Sequence, residues 1–385
     1  MKQTSSLLIK NARIISPDTD LAGGAVLIVD GMIKQLFAPG DTLPAADQTC
    51  DLNGMMLMPG FIDVHTHGRS GYEFTDGVLE HLNTMCIDKL SEGVTSWLPT
   101  TLTLGNEALA AALNNARSYS AGNTPGAKIP GVHLEGPYIN EKCLGAQNPA
   151  FVRKPDIDEV RKLNDIYRVL KVSYAVEVEG GDRFASELLS ENITPSCVHS
   201  QATYKQFCAG YDHGLRNLSH FCNQMTALHH RDIGLVGAGL HHSEVFIEMI
   251  CDKIHLCSDM IKLIFQLKDI NHILLITDAC QAAGMPDGEY EIGGLPLILK
   301  DGAARLASNG ALAGSVLVMN KALKNVYEIT GLPLAQLVKT TSWNQACSLG
   351  LSKLGRIEPG YCADLTALND NFDVQKVWVD GCQMR

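Results

Sequence analysis

Apolar and polar positions alternate at both ends of this chain. Near the start, Leu7-Leu8-Ile9, Arg13-Ile14-Ile15 and Ala25-Val26-Leu27-Ile28-Val29 read as strands. Asp30-Gly31 supplies a tight hairpin turn, and Met32 to Phe37 reads as the returning strand. The far end repeats the pattern with Ala363 to Leu368, Val374 to Val379 and then Asp380-Gly381. Two strand-rich ends flanking a long middle predict a small β-sandwich domain built from residues 1–57 and 355–385.

The middle, residues 58–354, alternates short apolar runs with longer amphipathic ones. The runs are Phe61 to Val64, Val94 to Leu98, Ile129 to Leu134 and Val172 to Val178. They continue with Ile193 to Val198, Leu218 to Phe221, Lys253 to Leu256 and Ile273 to Ile276. Helix-like stretches such as Val78 to Leu90 and Glu107 to Tyr119 lie between them. Eight strands alternating with helices predict the α/β class and a (β/α)₈ TIM-type barrel. An open doubly wound sheet is the alternative, but no G-x-G-x-x-G or Walker loop supports a nucleotide-binding version.

What ends these runs carries chemistry. The first ends in Asp63-Val64-His65-Thr66-His67 and the third in His133-Leu134-Glu135-Gly136-Pro137. The fifth ends in His199-Ser200, the sixth at His220 and the eighth in Thr277-Asp278-Ala279. In a barrel of this kind those ends share the face that holds the active site. Imidazole nitrogen and carboxylate oxygen suit a divalent metal, with Zn²⁺ the expected ion. Glu135, His199 and His220 form a two-His, one-carboxylate set that leaves a coordination position for water, whose pKa such an ion lowers. Asp278 is the expected acid/base, taking the water's proton and returning it to a departing amine.

Blander readings compete. An isolated His is more often packed or solvated, and His81, His213 and His272 are assigned so. His229, His230, His241 and His242 fall in polar or Gly-rich stretches where a solvated ring is the default. An H-x-H pair alone is weak, since alternate strand residues share a face for packing reasons too. Five strand ends carrying ligand-type side chains in order weigh more than any one of them.

The net charge of −11 argues against a nucleic-acid partner, although it leaves room for a pocket holding one phosphate. No apolar run approaches a membrane span, and Met1 to Lys10 lacks a leader's apolar core. The 12 cysteines form no C-x-x-C pair and are scattered, which fits free thiols in a reducing cytoplasm.

Pro59-Gly60-Phe61-Ile62-Asp63-Val64-His65-Thr66-His67-Gly68 resembles the opening of the amidohydrolase superfamily. His133-Leu134-Glu135-Gly136-Pro137-Tyr138 is similar to the signature of its N-acetylhexosamine-6-phosphate deacetylases. Three further strings look closest to the galactosamine-directed members: Glu92 to Thr101, Met225 to Arg231 and Thr277 to Gly288. The resemblance thus implies hydrolysis of the acetamido group of N-acetylgalactosamine 6-phosphate, with N-acetylglucosamine 6-phosphate as the alternative substrate.

It also implies roles. Glu135, His199 and His220 match the principal metal ligands, and Asp278 the acid/base. A second ion held by His65, His67 and Asp278, with Glu135 bridging, would make two ions per subunit instead of one. Ala146 and Gln147 lie in Gly145-Ala146-Gln147-Asn148, where many members have Gly-x-His-Asn. Gln147 can donate a hydrogen bond but cannot carry an imidazolium's charge. Asn223, Gln224, Leu312, Ala313 and Gly314 match substrate-lining segments. Arg231 and His255 match phosphate-holding groups, with Arg231 reaching the neighbouring active site of a homodimer. A surface salt bridge is the plainer role for Arg231. The barrel and H-x-H pair alone would also allow an amidohydrolase acting on a cyclic amide or base, or a non-catalytic scaffold.

Overall fold

A computed structural model describes residues 5–122 and 125–385, so the first four residues of the stretch read for a leader lie outside it. Both chain ends build one sheet. Ser6–Ser16, Thr19–Val29, Met32–Phe37, Gln48–Asp51 and Met56–Pro59 join Leu365–Leu368, Val374–Val379 and Cys382–Gln383 in it. The ends meet where Leu365–Leu368 runs antiparallel to Met56–Pro59, placing Thr366 opposite Met58. Asp30 and Gly31 take φ of 50° and 77°, and Asp380 and Gly381 take 47° and 75°, the left-handed pair that a two-residue hairpin requires. Ile9, Ile14, Val26, Leu57, Leu365 and Trp378 pack into this sheet's own core. The eight strands form one hydrogen-bonded assembly, where two stacked sheets were expected.

The middle of the chain is a curled parallel sheet. Phe61–Thr66 pairs with Val94–Pro99, and a bridge from Thr100 to His133 leads on to Val132–Glu135. Val169–Tyr174, Thr194–Cys197, Asn217–Leu218, Phe246–Ile250 and Ile273–Ile276 follow in that spatial order. The Asp278 N–H donates to the His65 carbonyl at 2.8 Å, and the His67 N–H to the Ala279 carbonyl at 2.9 Å, so the last strand returns to the first. Helices cover the outside: Leu79–Lys89, Asn106–Ala121, Ile157–Ile166, Gly181–Ser190, Tyr204–Asp212, Gly234–His241, Ser258–Leu267 and Met319–Thr330. The strands are therefore buried on both faces, which explains their nearly unbroken apolar runs. Local signals start the helices: Asp156 accepts from the Asp158 and Glu159 N–H groups, and Thr203 with Gln206 forms a capping box.

Two departures from the sequence reading matter for the site. The seventh strand is Phe246–Ile250, whereas 253–256 is a bend in the loop after it. Glu248 interrupts the apolar run of that strand, and its burial depends on partners remote in sequence. Secondly, Gly288–Ile292, Leu295–Lys300 and Ala303–Leu306 form a three-stranded antiparallel sheet inserted after the eighth parallel strand. Its inner face, with Ile292, Leu297, Leu299 and Leu306, packs with Leu102 and Cys280 over the mouth of the curled sheet.

Candidate metal centre and active site

The strand-end residues converge as the topology requires. His65 lies in Phe61–Thr66 and His67 just beyond it, and Glu135 ends Val132–Glu135. His199, His220 and Asp278 each follow the end of a strand by two residues. Those three take left-handed backbone, with φ of 42°, 31° and 49°. Non-glycine residues avoid that region, and it recurs where a site fixes a side chain against local preference. All six side chains are buried, His65 completely.

They form two groups of ligand-type atoms, His65, His67, Asp278 and Glu135, His199, His220, each group lying within 4.8 Å. Glu135 joins the groups. Its Oε1 is 3.2 Å from His220 Nε2 and 3.3 Å from His65 Nε2, while Oε2 is 3.3 Å from His67 Nε2. Asp278 Oδ1 lies 3.2 Å from His67 Nε2 and 3.5 Å from His65 Nε2.

The imidazoles are oriented from behind. His199 Nδ1 faces the Cys143 carbonyl at 2.7 Å, His220 Nδ1 the Asn223 carbonyl at 3.1 Å, and His67 Nδ1 the Thr100 carbonyl at 3.2 Å. His65 Nδ1 faces the Glu248 carboxylate at 2.9 Å. Each partner is an acceptor, so each Nδ1 carries a proton, and the neutral ring presents its Nε2 lone pair inward. Two such lone pairs, on His199 and His220, then oppose one another at 3.3 Å. Among the described residues, His65 Nε2 and Glu135 Oε1 are buried with no hydrogen-bond partner. Orphaned polar atoms and opposed lone pairs are what a divalent cation would satisfy, so the residues fit a metal.

The electrostatics agree. Burial would lower His65 and His67, but the Glu135 and Asp278 carboxylates raise them to about 9 and about 10. Burial would raise Glu135 and Asp278, yet His65 and the other site imidazoles hold both below the usual carboxylate range. The cluster is arranged around positive charge, whether protons or an ion supply it.

A cavity of about 220 Å³ opens onto these groups. Of the predicted substrate residues, Ala146, Gln147, Asn223, Gln224, His255, Leu312 and Gly314 line it. Ala313 is buried and packs in one cluster with Leu102 and Cys280. Arg231 does not line it; it is exposed and bonded to His230 at 2.8 Å. His255 is oriented by Asp252, 2.6 Å from its Nδ1. Gln147 is held at both ends: its carbonyl accepts from the Thr103 N–H at 2.7 Å, which turns its amide nitrogen to Glu135 Oε2 at 2.5 Å. Sequence reasoning missed Leu102, Gly145 and Ile292, which also line the cavity. Gly145 has a legible reason, since a Cβ there would come within 3.1 Å of His199 Cε1. The other two come from a loop and the inserted sheet, and no local signal marks them. Among the histidines read as bystanders, His241 ends a helix where a loop was expected.

Comparison with known proteins accords with this geometry. The model of the amidohydrolase family matches residues 56–384. The N-acetylgalactosamine-6-phosphate deacetylase of Escherichia coli is 34% identical over 377 residues, covering 97% of this chain and 98% of that protein. The N-acetylglucosamine-6-phosphate deacetylase of Vibrio furnissii is 36% identical over 328 residues, covering 84% and 82%. The crystal structure of the Thermotoga maritima N-acetylglucosamine-6-phosphate deacetylase superposes with a TM-score of 0.89 at 34% identity, covering 98% of this chain and 99% of that one. These likenesses imply a TIM-type barrel with a small companion domain. The chain belongs to the amidohydrolase family, in its N-acetylhexosamine-6-phosphate deacetylase branch.

Proposed function

We propose that this protein removes the acetyl group from an N-acetylhexosamine 6-phosphate, with N-acetylglucosamine 6-phosphate as the better supported substrate. The observation that carries the reading is the pair of buried ligand groups joined by Glu135 at the floor of a sugar-sized cavity. The galacto preference read from three sequence strings gives way because the Vibrio and Thermotoga relatives are named for the gluco substrate. The galacto epimer is the second reading, favoured by the Escherichia coli relative. The two sugars differ only at C4, where one polar contact can reverse a preference.

A divalent cation, Zn²⁺ in this reading, would when bound supply Lewis-acid polarisation of the acetamido carbonyl and lower the pKa of water. Glu135, His199 and His220 would hold one ion, and His65, His67 and Asp278 a second, with Glu135 shared. Asp278 Oδ takes a proton from the attacking water and delivers it to the amine, which is otherwise a poor leaving group. Gln147 keeps one amide hydrogen on Glu135, leaving the other for the acetyl oxygen as negative charge develops there. Asn223, Gln224 and the 312–314 loop orient the sugar, and His255 meets the phosphate. Arg231 is exposed, as is Leu228 three residues before it, which supports its reaching the cavity of a second copy in a homodimer. Residues 58–354 form the catalytic barrel, and 1–57 with 355–385 the small domain.

The test is acetate release from both 6-phosphates and both unphosphorylated sugars, on protein of measured metal content. Faster release from the gluco phosphate, abolished by chelation, supports the reading. A galacto preference moves the substrate to the epimer. Equal release with and without phosphate removes His255 and Arg231 from their roles, and no release from any sugar overturns the function.

A further inference from the structure

Three of the four site imidazoles lean on backbone carbonyls, and His65 alone leans on a carboxylate. That carboxylate, Glu248, sits in the middle of the Phe246–Ile250 strand and is 1% exposed. Its Oε2 is 2.9 Å from His65 Nδ1, and its Oε1 is paired with Lys171 Nζ. Lys171 lies within the Val169–Tyr174 strand and is also 1% exposed. An ion pair has thus been placed in the interior of the curled sheet, which it shares with buried His133, Ser173, Ser196 and Ser219.

Stability is a poor reason for it. Taking two charges out of water offsets most of their attraction, and apolar replacements of similar volume are often neutral or better. Position is a better reason. A carboxylate behind an imidazole fixes its tautomer, aims Nε2 and makes that nitrogen a stronger donor. The other three rings receive orientation from neutral carbonyl oxygens but no such charge. We infer that Glu248, with Lys171 holding it in place, is the positioning residue that makes His65 a strong ligand and so creates the cation site of His65, His67 and Asp278. This rests on the two-ion reading above. Glu248 touches neither the cavity nor a proposed ion, and it acts only through His65.

The experiment compares the Zn²⁺-loaded protein with Glu248→Gln and with the double variant Glu248→Gln, Lys171→Met. Glutamine keeps an acceptor for His65 Nδ1 but removes the charge, and the double variant also removes the ammonium that the single one would strand. Metal content is measured after equilibration against graded chelator, and anomalous scattering at the zinc edge assigns the sites. We expect two ions in the wild type. In both variants the His65 site should weaken by about 10–100-fold, with the Glu135, His199, His220 site within about twofold of wild type. Two ions held equally tightly by both variants would overturn the inference. So would equal weakening of both sites, because a merely structural role predicts that. A wild type that binds one ion under all conditions would overturn the two-ion reading and this inference with it. Two ions in the wild type, with the His65 site held as tightly in both variants, would overturn the inference alone.

Discussion

Replacing Asp278 by Asn tests the chemistry most directly, because the structure isolates the charge from the fold. Asp278 sits at φ 49°, a conformation that Asn tolerates nearly as well as Asp, so the backbone has little reason to move. The Asp278 N–H bond to the His65 carbonyl and the Ser315 N–H bond to the Asp278 carbonyl do not involve the side chain. What disappears is the carboxylate Oδ1, 3.2 Å from His67 Nε2, together with its capacity to take and return a proton. General acid–base catalysis of this kind is worth about 10²- to 10⁴-fold, or about 2.7–5.4 kcal/mol of barrier at 1.36 kcal/mol per tenfold. The drop should appear in kcat, because the residues proposed to hold the sugar and the phosphate lie elsewhere in the cavity. The assay is acetate release under saturating substrate on protein whose metal content has been measured. Asp278 belongs to only one ligand group, so the ion at Glu135, His199 and His220 should stay. A kcat within tenfold of wild type, with that ion in place, would refute the assignment of Asp278 as the acid/base.

Other consequences can be checked independently. Lys89 Nζ is 2.8 Å from Asp63 Oδ2 with both side chains fully buried, and Asp63 also accepts from Thr66 and Thr277 beneath the site. Lys89→Met should lower unfolding stability by about 3–5 kcal/mol by stranding that carboxylate, read by denaturant titration; a change under 1 kcal/mol would mean the pair is not needed. Burial, then Lys171, holds His133 well below the usual imidazole range, so the folded protein keeps it neutral while the unfolded chain protonates it below about pH 6.5. The unfolded state then binds more protons, so stability falls on acidification below that pH by up to about 1.4 kcal/mol per unit for this group. His133→Asn should remove one proton from that slope in chelated protein, and an unchanged slope would contradict it. A Cβ at Gly60 would lie 2.1 Å from Thr95 Oγ1, where two neighbouring strands approach. Gly60→Ala should therefore destabilise by about 1–3 kcal/mol, and Thr95→Ala in the same chain should recover part of it; no recovery would show that the strain lies elsewhere.

Much of the site was legible because each ligand terminates an apolar run. A His or Asp that ends a buried strand stands out against Val, Ile and Leu, and five such ends in order say that one face of the barrel collects them. The Asp-Gly pairs at 30–31 and 380–381 were equally plain, since that dipeptide prefers the turn by its own backbone chemistry. The seventh strand was not, because Glu248 breaks its apolar run, and a buried carboxylate is intelligible only through its partners. Those partners are Lys171, 77 residues away, and His65, 183 residues away. Local periodicity carries nothing about such pairs.

The sequence by itself thus determined the alternation of strands and helices, the hairpin turns, the donor atoms at the strand ends and the family. The tertiary structure decided which donors meet, that Glu135 stands between both groups, and that Gln147 is clamped against it. It also decided that Ile292 and Leu102 wall the cavity and that Arg231 stands outside it. The division has a physical cause. Element type and turn geometry follow from neighbours within a few residues. The meeting of side chains depends on how a curled sheet closes, and that is a property of all its strands at once.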